Sequence, residues 1–251
     1  MSQLYNTLLS NPFTLALVVI LGFVFLIRGA DRLVEGASVL AKRFGMSNLV
    51  IGMTVVAFGT SLPEFFVNMF SISESETNLA LTNILGSNII NIFVILGLTS
   101  LVYPISSQVS SRRFDIPLMI IAGLSVLVSV VVTLPFESQR GMSRLSGVLL
   151  LLGMCLFMYH SVKTTMGNTD TRDETPQWPL WKAVVLIVIG FVGLVFGGDM
   201  IVRGAVQVAT DVGVSDAIIG LTIVAGGTSL PELATSVVAA RKGQSAIAIG
   251  N

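Results

Sequence analysis

The chain has 251 residues, of which 53% are hydrophobic and only 11% charged, against roughly 25% charged in an ordinary soluble domain. Fourteen basic residues balance fourteen acidic ones, so there is no polycationic face for nucleic acid. One cysteine (Cys155) and one histidine (His160) exclude both a disulfide framework and a His/Cys metal site. A soluble enzyme is excluded by the same arithmetic. Crossing a hydrocarbon core of about 30 Å takes about 20 mostly apolar residues, and such runs recur along the chain with charge held in the loops. The composition predicts an all-α polytopic membrane protein with the lipid bilayer as its main partner.

In chain order the apolar runs fall at 12–30, 48–72, 79–103, 114–135, 145–162, 181–206 and 215–240, and an eighth has begun at Asn251. The first is read as a true span rather than a cleaved signal, because residues 1–11 carry no Lys or Arg and no small-residue cleavage site follows Ile27. Loop charge sets the expected orientation. Arg28, Arg32, Lys42, Arg43, Arg112, Arg113, Lys163, Arg172, Lys182, Arg241 and Lys242 fall on one side, and Arg140, Arg144 and Arg203 on the other. By the positive-inside rule the amino terminus lies outside the cytoplasm. Trp178 and Trp181 are expected at the headgroup level. Asp31, Glu35, Asp199 and Asp211 are expected at span ends, solvated or paired with Arg32 and Arg203, and Glu74 and Glu76 in an outer loop.

The sequence contains an internal repeat. Ile51-Gly-Met-Thr-Val-Val-Ala-Phe-Gly-Thr-Ser-Leu-Pro-Glu64 and Ile219-Gly-Leu-Thr-Ile-Val-Ala-Gly-Gly-Thr-Ser-Leu-Pro-Glu232 agree at 11 of 14 positions with an offset of 168. The same offset pairs Asp31 with Asp199, Val34 and Ala37 with Val202 and Ala205, and Asn83 with Asn251. Five spans, an odd number, separate the copies, so the second crosses the membrane in the opposite direction, which is the inverted repeat of secondary transporters. The expected organisation is a first repeat of five spans at 1–165, a cytoplasmic linker at 166–180, and a truncated second repeat at 181–251. Repeat symmetry predicts a complete chain of about 325 residues.

Within each motif Pro63 or Pro231 lacks the N–H that a helix needs, so the helix is expected to open and free carbonyls near Ala57–Gly59. Irregular backbone at membrane depth is tolerated where it lines a cavity. Thr60 and Ser61 precede Glu64 by four and three residues, which places both hydroxyls on the carboxylate's face if the turn stays helical. No Lys or Arg occupies the centre of a span, so compensation for Glu64 and Glu232 is expected from protons or mobile cations. Ser87 and Asn91 share a helical face in the third span, whereas Asn68 is read as a packing residue. A set made only of oxygen suits Na⁺, Ca²⁺ or Mg²⁺. Cys155 and the methionines are read as lipid or packing contacts, and His160 as an interface residue.

Paired G-T-S-L-P-E motifs with G-S-N-I-I-N (residues 86–91) on the next helix resemble the calcium/cation antiporter superfamily, and the short loops resemble its bacterial inner-membrane sodium/calcium exchanger branch. The resemblance runs from about Gly29 to Asn251. It implies two inverted halves of five helices, with two long helices, here the first and sixth spans, sliding across an ion-binding core during Na⁺/Ca²⁺ antiport. It further implies that Glu64 and Glu232 are the central ligands, Thr60, Ser61, Thr228 and Ser229 hydroxyl and backbone ligands, Ala57 and Ala225 carbonyl ligands, and Ser87 and Asn91 ligands from the third helix. No cofactor is expected beyond the transported Ca²⁺ and Na⁺. Homo-oligomerisation stays open. So do a H⁺/Ca²⁺ or K⁺-dependent exchanger, a passive cation channel, and a non-transporting fragment of an exchanger.

Overall fold

The computed structural model describes residues 11–73, 77–105, 111–131, 143–165 and 178–251. Every regular element among them is helical. In order they are α1 (Pro12–Arg43), α2 (Asn48–Thr60), α3 (Leu62–Ser73), α4 (77–102), α5 (111–131), α6 (Arg144–Thr165), α7 (Leu180–Asp211), α8 (216–228), α9 (Leu230–Arg241) and α10 (Ser245–Gly250). By length and apolarity α1, α4, α6 and α7 can each cross a membrane, and the bent pairs α2–α3 and α8–α9 bring the number to six. The run expected at 114–135 coincides with α5, whose described part stops at residue 131. The outer-loop glutamates Glu74 and Glu76, Arg140, and most of the linker at 166–180 lie outside the described residues.

The chain forms two compact units, 1–105 with 167–251, and 106–166. In the smaller unit α5 and α6 meet at Phe114, whose ring lies 3.9 Å from that of His160, and Cys155 is exposed on an apolar surface. The larger unit holds both repeated motifs. Its outer surface carries Phe13, Phe23, Phe25, Phe65, Phe66 and Phe196, all largely exposed, an arrangement suited to lipid rather than water.

The first and sixth spans are longer than their apolar runs. Both α1 and α7 have 32 residues, about 48 Å at 1.5 Å per residue, against about 30 Å of hydrocarbon. The basic residues Arg28, Arg32, Lys42 and Arg43, expected in a loop, are therefore inside α1. The helix continues because nothing breaks it before Gly45, where φ is +63°; the matching stop for α7 is Gly213, 168 residues on, with φ +81°. Each stop closes with the same bond, Met46 N–H to the Ala41 carbonyl and Val214 N–H to the Ala209 carbonyl, both 2.9 Å.

The two long helices run antiparallel with their backbones touching. Gly22, Gly29 and Gly36 on α1 have counterparts at Gly190, Gly197 and Gly204 on α7 by the 168-residue offset. A Cβ at Gly29 would fall 2.7 Å from the Leu194 nitrogen and 2.8 Å from the Gly190 oxygen; one at Gly197 would fall 2.5 Å from the Leu26 nitrogen. Small residues permit this approach, and in lipid such packing is the main force between helices. Leu26, Ala30, Leu33, Val34 and Ala37 complete a core with Ile187, Leu194, Ala239, Ala240 and Ile247. A Gly29→Leu substitution must push α1 off α7, because the obstructing atoms are backbone. It is expected to lower thermal stability in detergent by at least several degrees, whereas Gly123→Leu, where a Cβ meets nothing, leaves the melting temperature unchanged.

Candidate cation site

Both motifs adopt one local structure. The helix preceding each motif widens into a π-turn, at Gly52–Val56 and Gly220–Val224, a distortion often found at functional sites. Each chain then bends at its serine. Ser61 has φ −84° and ψ 6°, Ser229 has φ −90° and ψ 6°, and the helices on either side diverge by 45° and 47°. The cause is the proline two residues later, which cannot donate to the carbonyl of Gly59 or Gly227. The Ala57 carbonyl, expected to be freed, accepts from Ser61 N–H at 3.0 Å and lies 3.3 Å from the Thr60 hydroxyl. Proline removes the bond to residue 59, two residues further on, so the carbonyl of Ala57 keeps its own.

Past each bend the new helix begins with its glutamate in the first turn, Glu64 on α3 and Glu232 on α9. The N-terminal end of a helix favours a negative charge. Both side chains are buried, at 8% and 1% exposure. The structure corrects one expectation about them. Ser61 does not serve its own glutamate: its hydroxyl donates to Glu232 Oε1 at 3.0 Å, and Ser229 donates to Glu64 Oε1 at 3.2 Å. The bend turns each serine away from the face that an unbroken helix would give it. The threonines follow the same rule, Thr60 facing Glu232 and Thr228 facing Glu64. Each carboxylate is thus held by the serine hydroxyl of the other repeat.

The remaining oxygens are unpaired. Glu64 Oε2 and Glu232 Oε2 are buried without a hydrogen-bond partner, and so is Asn91 Oδ1. The segment bearing Asn91 packs on α9, and the part of α4 bearing Ser87 packs on the end of α8 at Ala225–Thr228. Ser87 is buried, and its hydroxyl donates to the Ile84 carbonyl at 3.2 Å. Asn68 accepts from Asn83 at 2.9 Å and acts in packing, as its sequence suggested. The described ion pairs lie elsewhere. Arg32 pairs with Glu35 and Arg203 with Asp199, as expected, but Asp31 pairs with Lys242 at 2.9 Å, and Asp211 accepts from Gln207. Asp31 lies on α1 and Lys242 just beyond α9, a contact between distant segments that periodicity could not reveal.

Two carboxylates, an amide oxygen and several hydroxyls, without a paired Lys or Arg, form a hard-oxygen set suited to a cation. Among the described residues no cluster of three His, Cys, Asp or Glu exists. A fold of inverted helical repeats with broken helices meeting around buried oxygens is that of a secondary transporter.

The sequence matches the family described as "Sodium/calcium exchanger protein" over residues 14–163 and 182–251, and the chain belongs to that family. It is 37% identical over 241 residues to the "Putative antiporter CaxA" of Alkalimonas amylolytica, covering 93% of this chain and 73% of the relative. It is 38% identical over 250 residues to the "Inner membrane protein YrbG" of Escherichia coli, with coverage of 93% and 73%. Its fold matches the sodium-calcium exchanger NCX_Mj soaked with zero Na⁺ and Ca²⁺, with a TM-score of 0.81 and 31% identity, covering 94% of this chain and 75% of that one.

The crossed hydrogen bonds predict symmetric losses. Ser61→Ala leaves Glu232 Oε1 without its donor, and Ser229→Ala does the same to Glu64. Each is expected to weaken cation binding about tenfold, the worth of a hydrogen bond of about 1.5 kcal/mol to a charged group. Calcium titration calorimetry on the purified variants measures the loss.

Proposed function

We propose that this member of the cation antiporter family exchanges Na⁺ for Ca²⁺, with both ions using the oxygens gathered at the two bends. The observation that carries the reading is the pair of buried glutamates whose Oε2 atoms have no partner and face no paired basic residue. Burying such charges costs several kcal/mol each unless they are compensated, and a bound cation supplies the compensation. Glu64 and Glu232 act as the central ligands, with Thr60, Ser61, Thr228, Ser229, Ser87 and Asn91 around them and the carbonyls of Ala57 and Ala225 completing the shell.

Antiport follows from competition for this set. Ca²⁺ neutralises both carboxylates, as do Na⁺ ions in sufficient number, and either loaded state then switches access while the uncompensated pair is held back. In this reading α1 and α7, joined through their glycines, slide as one body past the bends to open the site alternately to each side. The resident membrane is the bacterial inner membrane, with the amino terminus outside and 1–165, 166–180 and 181–251 serving as first repeat, cytoplasmic linker and second repeat.

Na⁺-gradient-driven Ca²⁺ uptake in proteoliposomes tests the reading. Glu64→Gln and Glu232→Gln are each expected to cut uptake at least about a hundredfold, since removing one charge leaves its partner buried and exposed to an incomplete shell. Normal exchange by either variant overturns it, and Ca²⁺ flux driven by a pH gradient alone transfers the coupling to H⁺. Orientation has its own test in a Cys155→Ser background: Val212→Cys is expected to react with an impermeant thiol reagent on intact cells, and Phe44→Cys only after permeabilisation.

A further inference from the structure

The sequence marked Asn251 only as the repeat counterpart of Asn83, yet its side chain joins the two bends. Its Nδ2 donates to the backbone carbonyl of Glu232 at 3.1 Å and lies 3.0 Å from the Ser236 hydroxyl; its Oδ1 accepts from the Thr60 hydroxyl at 2.9 Å. The orientation of this amide follows from its partners. A backbone carbonyl can only accept, so the end facing Glu232 must be the NH₂ group. The opposite end is therefore oxygen, and Thr60, 1% exposed, must give its single proton to it.

That choice fixes what Thr60 offers to the site. The hydroxyl has one proton and two lone pairs. Its other acceptors in reach are the Ala57 carbonyl at 3.3 Å and the Glu232 carboxylate, and a proton committed to Asn251 at 2.9 Å is shared with neither. The Thr60 oxygen then keeps both lone pairs for the site, while the Ala57 carbonyl stays bonded to Ser61 N–H. The clasp has a counterpart in the first repeat, where Asn83 Nδ2 donates to Asn68 at 2.9 Å, Asn68 being the position equivalent to Ser236. A helix-to-helix clasp is thus common to both repeats, and on Asn251 it also holds a hydroxyl of the opposite motif.

We infer that Asn251 is a positioning residue for cation binding: held by the Glu232 carbonyl and Ser236, it takes the Thr60 proton and so turns the hydroxyl's lone pairs toward the carboxylates. The inference rests on reading the bends as a cation site. It acts through Thr60, which distinguishes it from a clasp that merely holds helices together.

A double-mutant cycle on the full chain in nanodiscs, read by equilibrium binding of radiolabelled Ca²⁺ with thermal unfolding measured on the same samples, tests it. Asn251→Ala and Thr60→Val are each expected to weaken binding about 3- to 10-fold, and the double variant to be no weaker than Thr60→Val alone within twofold. Ser236→Ala, which removes one of the two contacts that hold Asn251 but leaves its oxygen on Thr60, should weaken binding less than Asn251→Ala does. Asn251→Asp guards against misfolding of the alanine variant: it keeps an acceptor for Thr60 while losing both NH₂ contacts, and should bind Ca²⁺ more tightly than Asn251→Ala. Additive losses in the cycle, unchanged binding in Asn251→Ala, or binding by Asn251→Asp no better than by Asn251→Ala overturn the inference. Glu232→Gln in the same assay separates the two levels. If it binds like the parent, the cation site itself is refuted; if it loses binding while Asn251→Ala does not, only the role of Asn251 is.

Discussion

Two buried carboxylates, each held through one oxygen by a serine of the opposite repeat, are the constraint around which this structure is arranged. Neither serine serves the glutamate of its own repeat, because the bend that starts the helix of Glu64 also turns Ser61 away from it. The halves are therefore interdependent at their most expensive point. A polar group buried without a partner costs more than a good hydrogen bond returns, so the crossed pairs favour the one arrangement in which both bends face each other. What they leave over, one unpaired oxygen on each glutamate, is the chemical capacity of the site.

The long helices answer a different requirement. An oxygen-lined centre in lipid has to be enclosed, and α1 with α7 provides a wall packed backbone to backbone along Gly22, Gly29 and Gly36. At this interface the glycines let the backbones meet while Leu26, Leu33, Ile187 and Leu194 pack around them. Its cohesion comes from close contact over length, which tolerates movement of the pair as a unit better than separation within it. The bends, by contrast, are fixed by directional bonds, and the contrast between a smooth wall and a pinned centre suits a transporter that moves one part past another.

Much of the site was legible because duplication amplifies weak signals. A lone Glu in an apolar run says little, but Glu64 and Glu232 with the same Thr, Ser, Pro and Gly at the same spacing identify two equivalent kinks and place oxygen at both. The glycine series was equally available, since Gly22, Gly29 and Gly36 recur at Gly190, Gly197 and Gly204 under the same offset; it goes unremarked when glycines are read one at a time. Helix ends were less legible. The apolar run of the first span stops near residue 30 while α1 continues to Arg43, because hydropathy reports the depth of the bilayer and not the length of the helix. The positive-φ glycines at 45 and 213 are the true terminators, and they are visible in sequence only as ordinary glycines.

The sequence by itself determined the helical class, the inverted duplication, the positions of the two bends and the oxygen-only chemistry around them. These depend on local rules: apolar length, a proline without its N–H, and carboxylates too costly to bury without purpose. Only the tertiary structure decided which hydroxyl serves which carboxylate, that Asp31 meets Lys242, and that Asn251 spans the two motifs. Those pairings join residues 165 to 211 positions apart, and helical periodicity carries information over a few turns alone. The distances across the bends are set by how two kinked helices cross, which no spacing along one chain specifies.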